Sequence, residues 1–223
     1  MKRAVILFTK APIKGNVKTR MQSLIKPEEC GMIQKYMIAD IAHTCQSSQW
    51  DLFVSYTPKE ECMMIKELCA DATDYLVQKG NSLGDKMTNA IEQILNRGYS
   101  SCVLIGSDIP DIKTKDLEEA FQTLETKDVV FGPTIDKGYY LVGMNQLRKE
   151  VFQKQTYGTG NVLEQTMNRI HAAGITTGLL TSYHDMDVPD DLYRFHDEHA
   201  NHKTEYAPRT RKYVHYLMEV YQR

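Results

Sequence analysis

Ala4-Val5-Ile6-Leu7-Phe8-Thr9-Lys10-Ala11-Pro12-Ile13-Lys14-Gly15-Asn16-Val17-Lys18-Thr19-Arg20 begins as an unbroken apolar run and ends as a cationic loop with one glycine. Five consecutive apolar residues predict a strand buried on both faces, as in a parallel sheet. Gly15 predicts a turn, where the backbone can approach a ligand closely. Six basic and no acidic residues fall in the first twenty positions. Lysine and arginine supply charge and donors for phosphate oxygens. A nucleotide di- or triphosphate is the simplest ligand for such a loop, and a solvated turn is the alternative.

Composition narrows the partners. Lysine plus arginine number 27 and aspartate plus glutamate 29, a net charge of −2, so the basic cluster is local. A protein that coats nucleic acid needs a broad positive field. A small anionic ligand fits better, and no nucleic-acid partner is expected. No stretch approaches the ~18 apolar residues of a membrane span. The apolar run after Met1-Lys2-Arg3 is shorter than the ~7–15 residues of a signal core, so a cytoplasmic location is the default. The five cysteines lack metal-type spacing and are expected to be reduced.

Strand and helix patterns alternate along the chain. Helical spacing covers 27–46, 59–69, 83–97, 161–173, 190–199 and 210–221, with another helix capped by Thr114. Strand patterns cover 51–56, 75–77, 101–106, 128–132, 139–143 and 175–180. This alternation predicts an α/β fold of three layers with a mainly parallel sheet. The 223 residues suit one domain, with 200–223 as a C-terminal helical tail. Tyr213, Leu217 and Tyr221 form a stripe on the last helix, which could pack on its own domain or in a homodimer.

In open α/β sheets the ligand sits beyond the carboxyl ends of the strands. Gly106-Ser107-Asp108-Ile109-Pro110-Asp111 leaves one such end. Asp108 there could hold Mg²⁺ or Mn²⁺, or accept backbone hydrogen bonds in a turn. Asp136, in Gly132-Pro133-Thr134-Ile135-Asp136-Lys137-Gly138-Tyr139-Tyr140, could be catalytic or a turn residue. Asp187, in Asp185-Met186-Asp187-Val188-Pro189-Asp190-Asp191, could be a second metal ligand or part of a helix start. His196, His199 and His202 lie three apart in a polar segment that reads as a solvated helix end.

Together these segments resemble one family. Lys10-Ala11-Pro12, Gly15 and Val17-Lys18-Thr19-Arg20-Met21 resemble its N-terminal signature. Leu83-Gly84-Asp85-Lys86-Met87 is similar to its L-G-x-R-M element, with lysine for arginine. Gly106–Asp111 matches G-S-D-x-P-D. Gly132–Tyr140 matches G-P-x-x-D-G-G-Y-Y, with Lys137 for glycine. Asp185–Leu192 matches D-x-D-x-P-x-D-L. The family is the GT-A-type glycosyltransferase-like group associated with radical-SAM proteins and arsenosugar biosynthesis. Phospholactate and molybdenum-cofactor guanylyltransferases are its relatives.

The resemblance implies a nucleotide-diphospho-sugar transferase fold (GT-A, Rossmann-like) and a Mg²⁺ or Mn²⁺ cofactor. It implies a nucleotide or nucleotide-sugar substrate and a small-molecule acceptor. Phe8, Thr9, Lys10, Pro12, Gly15, Lys18, Arg20, Gly84 and Ser107 would bind the nucleotide. Asp108 and Asp187 would hold the metal, and Asp108 and Asp136 would be catalytic. A glycosyltransferase is the first expectation. A nucleotidyltransferase releasing pyrophosphate is the second, and a nucleotide-binding module without turnover the third.

Overall fold

The computed structural model describes residues 1–47, 49–153, 155, 160–200 and 205–221. Seven strands form one sheet: β1 (Arg3–Lys10), β2 (Asp51–Thr57), β3 (Asp74–Val77), β4 (Ser101–Ile105), β5 (Val129–Pro133), β6 (Tyr139–Met144) and β7 (Thr177–Leu179). Their order is β3-β2-β1-β4-β6-β5-β7. β1 pairs in parallel with β2 and β4, β2 with β3 and β5 with β7. β6 alone is reversed, antiparallel to both β4 and β5. The carboxyl ends of β1, β4 and β5 therefore share one edge.

Helices are α1 (Pro27–Thr44), α2 (Cys62–Leu68), α3 (Leu83–Leu95), α4 (Thr114–Thr123), α5 (Val162–Ala172), α6 (Pro189–Ala200) and α7 (Pro208–Tyr221). Val5 and Leu7 of β1 join Ile38 and Ile41 of α1, Ile65 of α2 and Phe121 of α4 on one face. Ala4 and Ile6 join Ile91 and Ile94 of α3 and Ile170 of α5 on the other. This double burial explains the unbroken apolar run of β1. Each fully buried Val, Leu, Ile or Phe contributes about 1.5–3 kcal/mol of transfer free energy.

The start of α4 differs from expectation. Thr114 is its first helical residue, and Lys113 is the cap. The Lys113 backbone N–H donates to the Asp116 carboxylate at 2.8 Å. The late strand is shorter than its apolar pattern, and all five cysteines are free.

A third cluster lies outside the sandwich. Ile33 and Met37 of α1 pack against Met21, Phe195 of α6, and Val214, Leu217 and Met218 of α7. Of the C-terminal stripe, Leu217 is buried and Tyr213 and Tyr221 are half-buried against the same chain. Asp40 of α1 anchors the start of α7. Its side chain is 0% exposed and accepts from the Thr210 N–H and hydroxyl, both at 2.8 Å, and from Arg209 Nη1 at 3.1 Å.

Asp40→Ala removes the acceptor and strands the buried Thr210 hydroxyl. It should cost about 2–3 kcal/mol, or roughly 4–12 °C in melting temperature for a protein of this size. A thermal melt checks this; a shift inside the error of the measurement would show that α7 docks by its apolar stripe alone.

Candidate functional site

A cleft of about 670 Å³ opens at the sheet edge where β1 and β4 end. Its floor is a buried hydroxyl–amide network. Gln34 Nε2 of α1 donates to Ser107 Oγ at 2.8 Å, and Thr9 Oγ1 lies 2.9 Å from the same oxygen. Gln78, just after β3, donates through Nε2 to the Thr9 and Ser55 carbonyls at 3.0 and 3.1 Å. The ends of four strands are thus tied together by side chains where the ladder runs out.

The N-terminal loop reaches this edge in a left-handed step. Gly15 has φ 80 with open space around its α-carbon, so the turn requires its backbone freedom rather than its smallness. Lys18 has φ 48 and precedes the 3₁₀ helix Thr19–Ser23. Its side chain is 3% exposed. Lys18 Nζ donates to the Asp108 carboxylate and to the Met186 carbonyl at 2.6 Å. Arg20 Nη1 donates to Asp187 Oδ2 at 2.9 Å, at the surface. Met186 N–H donates to the Asp108 carbonyl at 2.9 Å, which holds the Asp185–Asp187 segment against the end of β4.

Most of the expected residues meet here. Phe8, Thr9, Lys10, Lys18, Arg20, Ser107, Asp108 and Asp187 all line the cleft. Pro12 lies instead against α1, its carbonyl close to Gly31. Gly84 is buried in the first turn of α3, and its neighbours Ser82, Leu83 and Lys86 line the cleft. Asp136 tips the β5–β6 hairpin as a turn residue. Its Oδ1 accepts from Thr134 Oγ1 and, at 3.1 Å, from the Gly138 N–H.

Several contributors lay outside the expected set. Tyr139 and Tyr140, at the start of β6, line the cleft. The Tyr140 ring lies over Gly132, where any β-carbon would sit within 2.4 Å of it. Gln34 and Gln78 carry no local sequence signal, because a single glutamine in an apolar helix or after a strand is unremarkable. Asp185 is half-buried, and burial, followed by the nearby Asp136 carboxylate, pushes its carboxyl up. Its two-residue spacing from Asp187 was the available clue.

Hard carboxylate oxygens in a half-open position suit a hard divalent cation. The Asp108 and Asp187 side chains are 52% and 37% exposed, so their donors fit Mg²⁺ or Mn²⁺. Among the described residues, no group of three or more His, Cys, Asp or Glu is preformed around a metal. The histidine pattern does not converge either. His196 Nε2 lies 3.3 Å from His215 Nδ1, His199 Nδ1 lies 2.8 Å from the Phe195 carbonyl, and His202 is outside the described residues. No described helix is long and apolar enough to cross a membrane.

The fold is that of the nucleotide-diphospho-sugar transferases. A protein from Desulfovibrio desulfuricans G20, provisionally assigned as such a transferase, superposes with a TM-score of 0.89 at 25% identity, covering 98% of this chain and 97% of its own. CMP:2-keto-3-deoxy-manno-octonic acid synthetase in complex with CTP shares the fold more distantly: TM-score 0.55, 10% identity, 90% and 99% covered. So does a Mycobacterium tuberculosis H37Rv protein in complex with manganese: TM-score 0.51, 15% identity, 86% and 96% covered. The chain belongs to the family described as an uncharacterised protein conserved in bacteria (DUF2064), whose model matches residues 40–159. No curated protein matches it in sequence.

Lys137 occupies the left-handed region at φ 69, which explains why the resembling motif has glycine there. That conformation costs a non-glycine residue roughly 1–2 kcal/mol. Lys137→Gly should hold or raise the melting temperature, its relief opposed by ~0.5–1 kcal/mol of added chain entropy. Lys137→Val should lower it by several degrees. A melting comparison that ranks valine at or above glycine would contradict the strain.

Proposed function

We propose that the protein is a metal-dependent glycosyltransferase that uses a nucleotide-sugar donor. The observation that carries this reading is the meeting of the Lys18–Arg20 loop with Asp108 and Asp187 over one cleft at the carboxyl edge of the sheet. Strand spacing of about 4.8 Å puts β3 roughly 14 Å from β4, a span comparable with a nucleoside diphosphate laid across the strand ends. The base would lie toward Gln78 and Ser82. The diphosphate would lie toward Lys18 and Arg20, with Phe8, Thr9, Lys10 and Ser107 between them. Pro12, Gly15 and Gly84 would shape this site through the backbone rather than touch the ligand.

Asp108 and Asp187 would hold a Mg²⁺ or Mn²⁺ ion. When bound, such an ion neutralises the charge that develops on a departing nucleoside diphosphate. Lys18 and Arg20 would donate to the same phosphate oxygens. On the acceptor side, Asp136 and Asp185 form the carboxylate pair that could take the acceptor proton. Burial and a like charge raise the proton affinity of Asp185, which suits a base. Tyr139 and Tyr140 would wall the acceptor end.

Nucleotidyl transfer is the second reading, favoured by the CTP complex found on this fold and by the resemblance to guanylyltransferases. Charge would gather beside the same ion. Products separate the readings. Incubation with a panel of nucleotide sugars and small acceptors plus Mn²⁺ is expected to release nucleoside diphosphate. Pyrophosphate from a nucleoside triphosphate would establish the second reading, and neither product from any pair would leave a binding module.

Lys18→Ala and Arg20→Ala should each weaken a nucleoside diphosphate by ten- to a hundredfold, from about 1.5–3 kcal/mol per charged contact. Affinity for the bare nucleoside should stay within a few-fold. Equal losses for both ligands would remove these residues from the phosphate site. Asp108→Asn should abolish the Mn²⁺ dependence of diphosphate binding in the same calorimetric titration. The amide oxygen still accepts from Lys18, but the buried ammonium loses its counter-charge, so folding of the variant is checked by circular dichroism before titration.

A further inference from the structure

Both carboxylates proposed for the metal already hold a cation, and both cations come from the same loop. Lys18 Nζ holds Asp108 Oδ1 and Arg20 Nη1 holds Asp187 Oδ2. The two pairs are not equivalent. The Arg20 side chain is 69% exposed and the Lys18 side chain 3%. An exposed pair is weak and easily exchanged. A buried ammonium needs its partners, because an uncompensated buried charge is strongly unfavourable. The partners of Lys18 Nζ are one carboxylate oxygen and one main-chain carbonyl oxygen, Met186 O at 2.6 Å. Those are the oxygen types that a hard divalent cation takes.

We infer that Lys18 is a resident cation that occupies the metal position until a phosphate group draws it away. The inference rests on the transferase reading above and adds a regulation to it: Lys18 and the divalent ion exchange at Asp108. An ammonium and a divalent ion drawn to the same carboxylate repel each other, so each weakens the hold of the other. A diphosphate resolves the conflict, since its oxygens give Lys18 a charge-assisted partner of equal quality. The metal then inherits the carboxylate. On this account the ion binds poorly to the free protein, so it is not held idle between turnovers. Lys18 is thus a positioning residue for the metal as well as a phosphate ligand.

The test uses Mn²⁺ alone, without nucleotide, on the full chain. Free Mn²⁺ is counted by electron paramagnetic resonance for the wild type, Lys18→Met and Lys18→Arg, each checked for folding by circular dichroism. Methionine fills the buried stem without charge, so Lys18→Met should bind Mn²⁺ at least tenfold more tightly than wild type. Lys18→Arg keeps the charge and should stay near wild type. Equal affinities for wild type and a folded Lys18→Met would overturn the exchange.

Should Lys18→Met fail to fold, the wild type decides. Acetylation of Lys18, read by mass spectrometry relative to the exposed Lys35, should rise several-fold once Mn²⁺ is raised to the concentration at which the resonance count shows it bound, as the ammonium is displaced. No change in that ratio would overturn the inference. The wider reading fails in a different way. If diphosphate affinity does not depend on Mn²⁺ in the wild type, the metal-dependent transferase falls whatever Lys18 does.

Discussion

Everything in this structure is arranged around β1, which sits between two parallel partners with both faces covered. A strand in that position exposes no main-chain edge and no apolar face. What it offers is its carboxyl end, where the ladder stops and backbone groups need other partners. Gln78 supplies them for the Thr9 and Ser55 carbonyls, and Gln34, Thr9 and Ser107 bond one another through their side chains beside it. The loop that follows inherits a fixed origin, so Lys18 reaches Asp108 across the gap between β1 and β4. Burial of a short apolar run thereby determines where a pair of opposite charges must meet.

Much of the fold was legible because local patterns and tertiary demands agree. β1 and β4 are buried on both faces and read as continuous apolar runs. α3 carries the apolar face that its spacing predicts, and the structure adds a serine cap, with Ser82 Oγ accepting from the Asp85 N–H at 3.0 Å. The reversed direction of β6 follows from the six residues between the two strand patterns, too few for a parallel crossover. Its insertion between β4 and β5 was not legible, since residue spacing does not fix strand order. Nor was the docking of α7, because Asp40 looks like one more acidic residue in an amphipathic helix until Thr210 arrives 170 positions later. The cap of α4 was misplaced by one residue because Thr114 has the better side chain, yet the Asp116 carboxylate reaches the backbone of Lys113.

For the candidate site, charge type was readable and pairing was not. Lys18 and Asp108 each stand out beside a glycine turn or a strand end, but they are 90 residues apart in sequence. Their mutual neutralisation follows only from the parallel register of β1 with β4. Asp136 shows the reverse case: a carboxylate before a glycine serves its own turn first, whatever it does for an acceptor. Lys137 marks a departure whose backbone cost is visible only as a positive φ.

The lone reversed strand has an architectural consequence. Because β6 runs against its neighbours, its first residues stand where every other strand presents its last. The β5–β6 hairpin therefore projects from the carboxyl edge, held by its own Asp136 turn and by hydrogen bonds from Leu163 N–H to the Lys137 carbonyl and from Ile135 N–H to the Tyr183 carbonyl. Strands β3, β2, β1 and β4, parallel to one another, carry the glutamine ties at their ends. A change in the length or side chains of that hairpin would reshape the cleft wall where Tyr139 and Tyr140 stand and leave the glutamine ties of the other strand ends in place.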